Sequence, residues 1–309
     1  MYLDKITDGI EKTGFKLEFD VSEVLLKNRW NVINNKYYVD DLQESVREID
    51  LVSYKVTKVH HIYIYTVLIV SCKKSEKDAW ALLSKKRNPL DPNAEWLPVH
   101  AWSNDKALDH MLKEKSWKDN YLSNNKKYGS DILSRIPDNH IFAFQEMDKS
   151  SGKPHNDTNI FKSITSLMKA QAYEMNALPT RKKDPSTFQF NLLSVVDTNL
   201  VRIDFSGTKI ESTEIEEEVY VADYIIDKKQ TSAKVHFIKS SAFELSLQQY
   251  NSLHDANVLS FELNYKKFYS DAAKNYNKQN VFLDEIKQDM YWRVNSVLRK
   301  ISNESIQKS

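Results

Sequence analysis

Cysteine is nearly absent from this sequence, which has one, Cys72, among 309 residues. A single cysteine excludes an intrachain disulfide and a cysteine-rich zinc site. It also fits a reducing compartment. The opening residues 1–5 lack the cationic and apolar regions of a signal peptide, so we expect a cytoplasmic protein.

Glycine is scarce as well, with five residues, and none of them forms a phosphate-binding or dinucleotide-binding fingerprint. This scarcity argues against a nucleotide held by a glycine-rich loop. Long apolar runs are also missing. The best one, residues 62–70, is far shorter than the roughly 20 residues of a membrane-spanning helix, so we expect no membrane association.

Neither sign of charge is in excess, since 44 Lys and Arg residues against 43 Asp and Glu residues give a net charge of +1. A polycationic protein is therefore excluded, and any affinity for nucleic acid must come from a local patch. The hydrophobic fraction of 41% and the charged fraction of 28% are typical of a soluble globular protein. A chain of this length can bury the core of one or two domains.

Two segments, residues 47–54 and 67–74, read as buried strands with polar side chains at one end. The first alternates apolar and charged residues through Asp50, and the second is an apolar run that ends in Ser71-Cys72-Lys73. Because side chains alternate across a strand, Ser71 and Lys73 share one face. If the strands pair as a hairpin, Asp50 lies beside that face. A carboxylate next to a lysine suits the joint binding of a divalent metal and a phosphate.

The segments around these strands predict an order of elements. Residues 14–30 carry apolar side chains at helical spacing, with Glu18 at the edge of the apolar stripe. Residues 30–39 read as a strand that contains a turn at Asn34-Asn35. The sequence therefore predicts one helix followed by three strands within its first 75 residues.

A turn cluster at residues 150–154 is the clearest break in the chain. Beyond it we expect a helix to about residue 176 with Gln171 on its apolar face, where an amide must find a partner or face a cleft. The other predicted elements are helices over 106–118, 243–255, 261–275 and 281–301, a loop over 179–185, strands over 141–144, 188–196 and 200–205, and a hairpin over 219–226 and 233–239.

Basic residues cluster at several places, and four tryptophans lie between residues 76 and 150. Aromatic side chains beside basic ones can form a platform for nucleic acid. The alternative is that the tryptophans pack in a core and the lysines form a solvated face. The residues concerned are Lys85-Lys86-Arg87, Lys126-Lys127, Arg181-Lys182-Lys183, Trp80, Trp96, Trp102 and Trp117.

Taken together, Glu18 on a helix that begins near Gly14, the strand segment Arg47-Glu48-Ile49-Asp50 and the segment Ser71-Cys72-Lys73 resemble the PD-(D/E)xK superfamily. The chain looks like the predicted bacterial restriction or defence nucleases of that group. The resemblance implies an α/β fold with a restriction-endonuclease-like core, in the order α-β-β-β-α-β, whose central mixed sheet is flanked by helices. Residues 14–75 and 157–196 match this order, with 76–150 as an insertion after the third strand. We expect a nuclease core over 1–205 and an α+β C-terminal elaboration over 206–309, or one continuous domain.

The resemblance also implies roles for individual residues. Asp50 would be the central ligand of Mg²⁺ or Mn²⁺, joined by the main-chain carbonyl of Cys72 and by Glu18. Lys73 would hold the attacking water and offset charge on the phosphate. Gln171 would face the cleft from the second core helix. Lys74 and the basic runs Lys85-Lys86-Arg87 and Arg181-Lys182-Lys183 would contact the substrate, which is DNA rather than RNA. Many such nucleases act as dimers, so a homodimer or a partner from a defence system is expected.

Ser71 departs from the family pattern, which has Glu or Asp at this position. A neutral hydroxyl is a poorer ligand for a hard cation than a carboxylate, so metal binding should be weaker. Three functions follow as alternatives: a metal-dependent endonuclease in which Glu18 or Glu48 compensates, a nuclease-like module that binds nucleic acid without cutting it, and a protein-interaction subunit.

Overall fold

The computed structural model describes residues 2–279 except 41–44, 89, 91–95 and 115, and of residues 270–279 it describes the backbone alone. The structure is mixed α/β, with a central mixed sheet flanked by helices. Its helices are α1 (Tyr2–Glu11), α2 (Gly14–Lys27), α3 (Lys106–Leu112), α4 (Trp117–Lys127), α5 (Thr158–Arg181) and α6 (Phe243–Gln279), the last preceded by a 3-10 turn at Ser240–Ala242.

The strands form a seven-stranded and a four-stranded sheet. They are β1 (Asn31–Asp40), β2 (Ser45–Val59), β3 (Ile62–Lys74), β4 (Asp78–Lys86), β5 (His100–Ser103), β6 (Asn139–Asp148), β7 (Ser186–Asp197), β8 (Leu200–Ser206), β9 (Lys209–Ile215), β10 (Glu217–Ile226) and β11 (Lys229–Lys239).

The main sheet has the strand order β1-β2-β3-β7-β11-β10, and the short strand β5 pairs with the first part of β7. Strands β1, β2 and β3 form an antiparallel meander. Strands β3, β7 and β11 run parallel to one another, and β10 is antiparallel to β11. The parallel step from β3 to β7 requires a crossover connection, and α5 lies within it.

The smaller sheet has the order β6-β4-β8-β9. It joins the main sheet where β7 turns into β8, because the backbone N–H of Trp80 on β4 donates to the carbonyl of Asn199 at 2.9 Å. The predicted boundary at residue 205 falls within β8, which pairs with β9. Strands from both sides of residue 205 therefore build both sheets.

The two faces of the main sheet carry separate layers of apolar side chains. On one face, Ile69 packs with the buried side of α5, which includes Ile160 and Ile164. On the other face, Val70 and Cys72 pack with α2 and α6. Alternation along β3 therefore turns Cys72 toward α2, and Ser71 and Lys73 toward the face that α5 covers.

Several predicted elements differ from the observed ones. The helices over 243–255 and 261–275 are one helix, α6, because polar Asn257 in the presumed gap bonds to Thr66 on β3 and to Tyr121 on α4. The predicted loop over 179–185 begins too early, since α5 continues through Pro179 to Arg181. The single helix over 106–118 is two short ones, α3 and α4. The helix predicted over 281–301 lies outside the described residues.

The turn predicted at Asn34-Asn35 is a local irregularity within the continuous strand β1. Asn35 has a left-handed φ of 51°, a conformation that asparagine tolerates better than most residues. Pairing with β2 passes from Asn34 and Leu51 to Lys36 and Ile49, so that Asn35 lies opposite Asp50. The ladder is therefore irregular beside the predicted metal ligand.

Among the described helices, none combines the length and the apolar character that crossing a membrane requires.

Candidate functional site

Strands β2 and β3 stop pairing at the point where the predicted site residues lie. Their register ends with Leu51 opposite Val70. One residue further, the Asp50 side chain takes the place of a backbone partner, since its Oδ2 accepts the N–H of Cys72 at 2.5 Å. A backbone donor that the ladder would leave unpaired is thereby satisfied.

Lys73 completes this arrangement. Its Nζ lies 3.2 Å from Asp50 Oδ2 and donates to the carbonyl of Cys72 at 3.0 Å. The side chains of Asp50 and Lys73 are 18% and 30% exposed. The carboxylate and the ammonium group that the sequence placed side by side are therefore together, and both can be reached from solvent.

Glu18 approaches from α2, on the opposite face of the sheet from α5. The side chain is half-buried, and burial raises the pKa of Glu18 from 4.5 to about 7. Repulsion from Asp50 and Glu48 raises this pKa further, whereas attraction to Lys73 lowers it. Three carboxylates thus share one ammonium group, and negative charge accumulates here.

The pKa of Glu18 predicts a pH-dependent stability in the absence of metal. Since the unfolded chain loses this proton near its ordinary pKa of 4.5 while the folded chain keeps it to about 7, stability falls as the pH rises between these values. Glu18→Gln should remove that loss, which amounts to about 1 kcal/mol once solvent screening is allowed for. In EDTA, denaturant titration should show the variant more stable than wild type at about pH 8 and nearly equal at about pH 4. A stability difference of the same size at both pH values would contradict this.

Ser71 lies away from this cluster. It is fully buried beside Ser194 of β7, and among the described residues its Oγ has no hydrogen-bond partner. The Oγ atoms of Ser163 on α5 and Ser194 lie 2.8 Å apart, so the helix passes directly over this level of the sheet. The position where the family has an acidic residue is therefore closed to solvent.

Gln171 is also separate from Asp50 and Lys73. It lies eight residues beyond Ser163, which is about 12 Å along α5 toward the start of β7. There it is 2% exposed and borders a small cavity of about 30 Å³ together with Phe190 and Leu192, and its Nε2 lacks a partner among the described residues. The sequence pattern correctly predicted that Gln171 lies on the buried face of α5. Gln171 is nevertheless too far along the helix to lie beside Asp50 and Lys73.

The basic run 181–183 lies at the opposite end of the main sheet. Tyr63 pairs with Ser186 at the start of β3 and β7, whereas Lys73 pairs with Val196 ten residues later, about 33 Å away. Arg181 forms an ion pair with Glu174 at 2.7 Å, and Lys182 packs over the rings of Tyr65 and Phe188, as the contacts show.

The second basic run, Lys85-Lys86-Arg87, is also distant. It ends β4, seven residues from Asp78, so it lies about 23 Å along the smaller sheet from the junction with β7. Trp80 is buried and Trp102 packs edge-on against Phe188, so these two tryptophans belong to the core rather than to an exposed platform.

Lys74 remains close to the site but points to the other face of β3. Its Nζ lies 3.2 Å from Asp197 Oδ2 and donates to the carbonyl of Glu11 at the end of α1. Glu48, which the sequence analysis offered together with Glu18 as compensation for Ser71, contributes to the field at Glu18.

A second group of ligand atoms went unnoticed because its members are far apart in the chain. Asp78, Asp148 and His155 bring one ligand atom each to within 4.8 Å of one another. Hydrogen bonds from Ser150 and Ser151 hold the pKa of Asp148 well below its ordinary value. Asp148 belongs to a turn with Ser150 and Ser151, and Asp78 lies opposite it on β4.

The residues at the first site fit a hard divalent cation. Asp50, Glu18 and the carbonyl of Cys72 offer oxygen atoms, which Mg²⁺ and Mn²⁺ prefer. Burial is the main cause of the raised pKa of Glu18, repulsion from Asp50 and Glu48 adds to it, and a bound cation would lower this pKa. A fourth oxygen from position 71 is not offered, since Ser71 is buried.

Comparisons with protein-family models, with curated proteins and with solved structures find no match for this chain. The structure is that of a mixed α/β protein with a carboxylate–lysine site at the end of an antiparallel strand pair.

Proposed function

We propose that this protein is a divalent-metal-dependent endonuclease of the PD-(D/E)xK type that hydrolyses phosphodiester bonds in DNA. The observation that carries the proposal is the 3.2 Å contact between Lys73 Nζ and Asp50 where β2 and β3 stop pairing. The order α2-β1-β2-β3-α5-β7, with β3 parallel to β7, supports it, because this is the order that the resemblance implies.

In this proposal the chain positions a metal ion, water and a phosphate. When bound, Mg²⁺ would polarise the phosphate and lower the pKa of a water molecule. Asp50, Glu18 and the Cys72 carbonyl would hold the ion. Lys73 is anchored by two of its possible hydrogen bonds, to Asp50 and to Cys72, and an ammonium group has three donors. The remaining donor can hold the attacking water or offset charge that develops on the phosphate.

Metal dependence tests the proposal directly. Wild-type protein should nick or linearise supercoiled plasmid in Mg²⁺ or Mn²⁺, and chelation by EDTA should abolish cleavage because the developing charge loses its main counter-ion. The measurement is gel electrophoresis of the plasmid over time. Cleavage at the same rate in EDTA would refute a metal-dependent mechanism.

Ser71 favours a second candidate, a module that grips nucleic acid without cutting it. Its hydroxyl is fully buried, so no carboxylate reaches the site from this position. This candidate predicts DNA binding without cleavage and without heat of Mn²⁺ binding in calorimetry.

A further inference from the structure

An open depression of about 430 Å³ lies at the carboxyl ends of β3, β7 and β11. These strands are parallel neighbours, and open α/β sheets bind ligands in crevices outside the carboxyl ends of such strands. Lys74, Lys149 and Lys239 line the depression. Lys74 directly follows Lys73 at the end of β3, so the depression and the proposed metal site lie at the same end of the sheet, although the two side chains point to opposite faces of the strand. Its remaining polar side chains are Ser75, Glu76, Asp197, Thr198, Asn199, Ser240 and Ser241.

The three lysines are held in different ways. Lys74 is paired with Asp197. Lys149 donates to the main-chain carbonyls of Ser75 and Glu76 at 3.2 and 3.3 Å, contacts that position its ammonium group without cancelling its charge. The lining thus carries three ammonium groups against the carboxylates of Asp197 and Glu76, and Lys149 donates to main-chain oxygen atoms.

Lys239 is held by two carboxylates that are themselves exposed. Its Nζ lies 3.0 Å from Glu214 and 3.0 Å from Glu216, whose side chains are 53% and 58% exposed. Ion pairs that involve exposed carboxylates contribute little free energy. A phosphate that enters the depression can therefore displace Glu214 and Glu216 from Lys239 with little loss of free energy. The two carboxylates nevertheless compete with the phosphate for this ammonium group.

The spacing of the lysines suits a nucleic-acid backbone. Strands β3 and β11 are separated by β7 alone, so Lys74 and Lys239 lie two strand spacings apart, about 10 Å. Along one strand of B-form DNA, phosphates recur about every 3.4 Å of the helix axis. A separation of about 10 Å is therefore on the scale of a few phosphates of one DNA strand.

We infer that this depression binds the backbone phosphates of the DNA segment that flanks the cleaved bond. The inference rests on the proposed nuclease function and adds the path of the substrate, which leads across the ends of β3, β7 and β11. It gives a substrate role to Lys149 and Lys239, and it excludes such a role for the run 181–183 at the other end of the sheet.

Binding can be measured without cleavage, by fluorescence anisotropy of a short DNA duplex in EDTA. Lys149→Ala and Lys239→Met should each weaken binding on the order of five-fold near 0.15 M salt. Each should also reduce the slope of log affinity against log salt by about 1. Lys183→Ala is the matched control, because Lys183 is an exposed lysine far from the depression, and its affinity should equal that of wild type.

Variants of opposite sign make the test independent of folding defects. Glu214→Gln combined with Glu216→Gln frees Lys239, so this protein should bind the duplex more tightly than wild type. Lysine variants that bind like wild type, or a Lys183→Ala variant that loses as much affinity as they do, would overturn the inference. Wild-type protein that fails to bind the duplex at low salt would also overturn it.

The inference and the nuclease proposal fail in different ways. If the variants show this pattern of affinities but the protein cuts no plasmid in Mg²⁺ or Mn²⁺, the phosphate-binding role of the depression is supported and the nuclease proposal is refuted. If the protein cuts in a metal-dependent manner while its lysine variants bind DNA like wild type, the nuclease proposal is supported and the role of the depression is refuted.

Discussion

Lys73→Met should slow plasmid cleavage in Mg²⁺ by about 10²- to 10³-fold, the usual cost of removing one group that stabilises charge in a transition state. Methionine keeps the apolar stem of the side chain, which packs at the end of β3, and removes the ammonium group 3.2 Å from Asp50. The loss should therefore appear in the rate of the chemical step. Single-turnover cleavage of supercoiled plasmid measures it.

Asp50→Asn should lose activity on the same scale for a different reason. The amide oxygen can still accept the N–H of Cys72, so the end of β2 keeps its hydrogen bond. The charge that would hold a cation is gone, however, and cleavage should be rescued in part by higher Mn²⁺ concentration. Such rescue should not occur in Lys73→Met, since that variant keeps its carboxylates.

Lys183→Ala serves as the control for both variants, because it removes a lysine at the opposite end of the sheet. Its cleavage rate should match wild type. Circular dichroism melting of all three variants separates lost chemistry from lost folding. Equal cleavage rates in wild type, Asp50→Asn and Lys73→Met would remove both residues from the mechanism, whatever the fold.

The pairing of Asp50 with Lys73 could be predicted because it depends on local rules. Strands β2 and β3 are joined by a tight turn at His60 and His61, and the period of two decides which residues face each other. The two-residue connection fixes the register, because it sets Val59 opposite Ile62. The helix that carries Glu18 follows from its apolar stripe in the same way.

The rest of the site depends on contacts between distant segments. The fold brings Lys149 and Lys239 to the end of β3 through pairings that span more than 100 residues, such as Cys72 with Val195. The run 181–183 follows α5, so its position at one or the other end of the sheet depends on the direction in which α5 runs across the sheet. The sequence alone does not show how far these lysines lie from Asp50.

The smaller sheet also escaped prediction, since β4 pairs with β6 and β8, which are distant in the chain. The segment 76–150 looks irregular because β4 and β6 pair across the helices between them, while β5 pairs with β7 of the main sheet. Tryptophans between basic residues in this segment are compatible with a core or with a nucleic-acid platform. The burial of Trp80 favours the core.

Trp80→Ala should lower the free energy of unfolding by about 3–5 kcal/mol, the range for truncating a large buried aromatic side chain. Trp80 is 1% exposed. It stands on β4 of the smaller sheet and meets Phe237 of β11 edge-on, with ring centroids 6.1 Å apart. Its removal therefore leaves a cavity between the two sheets. Urea denaturation followed by circular dichroism measures the loss.

Trp96→Ala is the matched control, because Trp96 is 45% exposed and contacts Lys118 at 5.4 Å from Nζ to the ring. An exposed cation–π contact contributes about 0.5–1 kcal/mol, so this variant should stay close to wild type. If Trp96→Ala were more destabilised than Trp80→Ala, then Trp80 on β4 would not pack against the main sheet as described. If Trp80→Ala were as stable as wild type but lost DNA affinity in EDTA, Trp80 would be part of an exposed nucleic-acid platform after all.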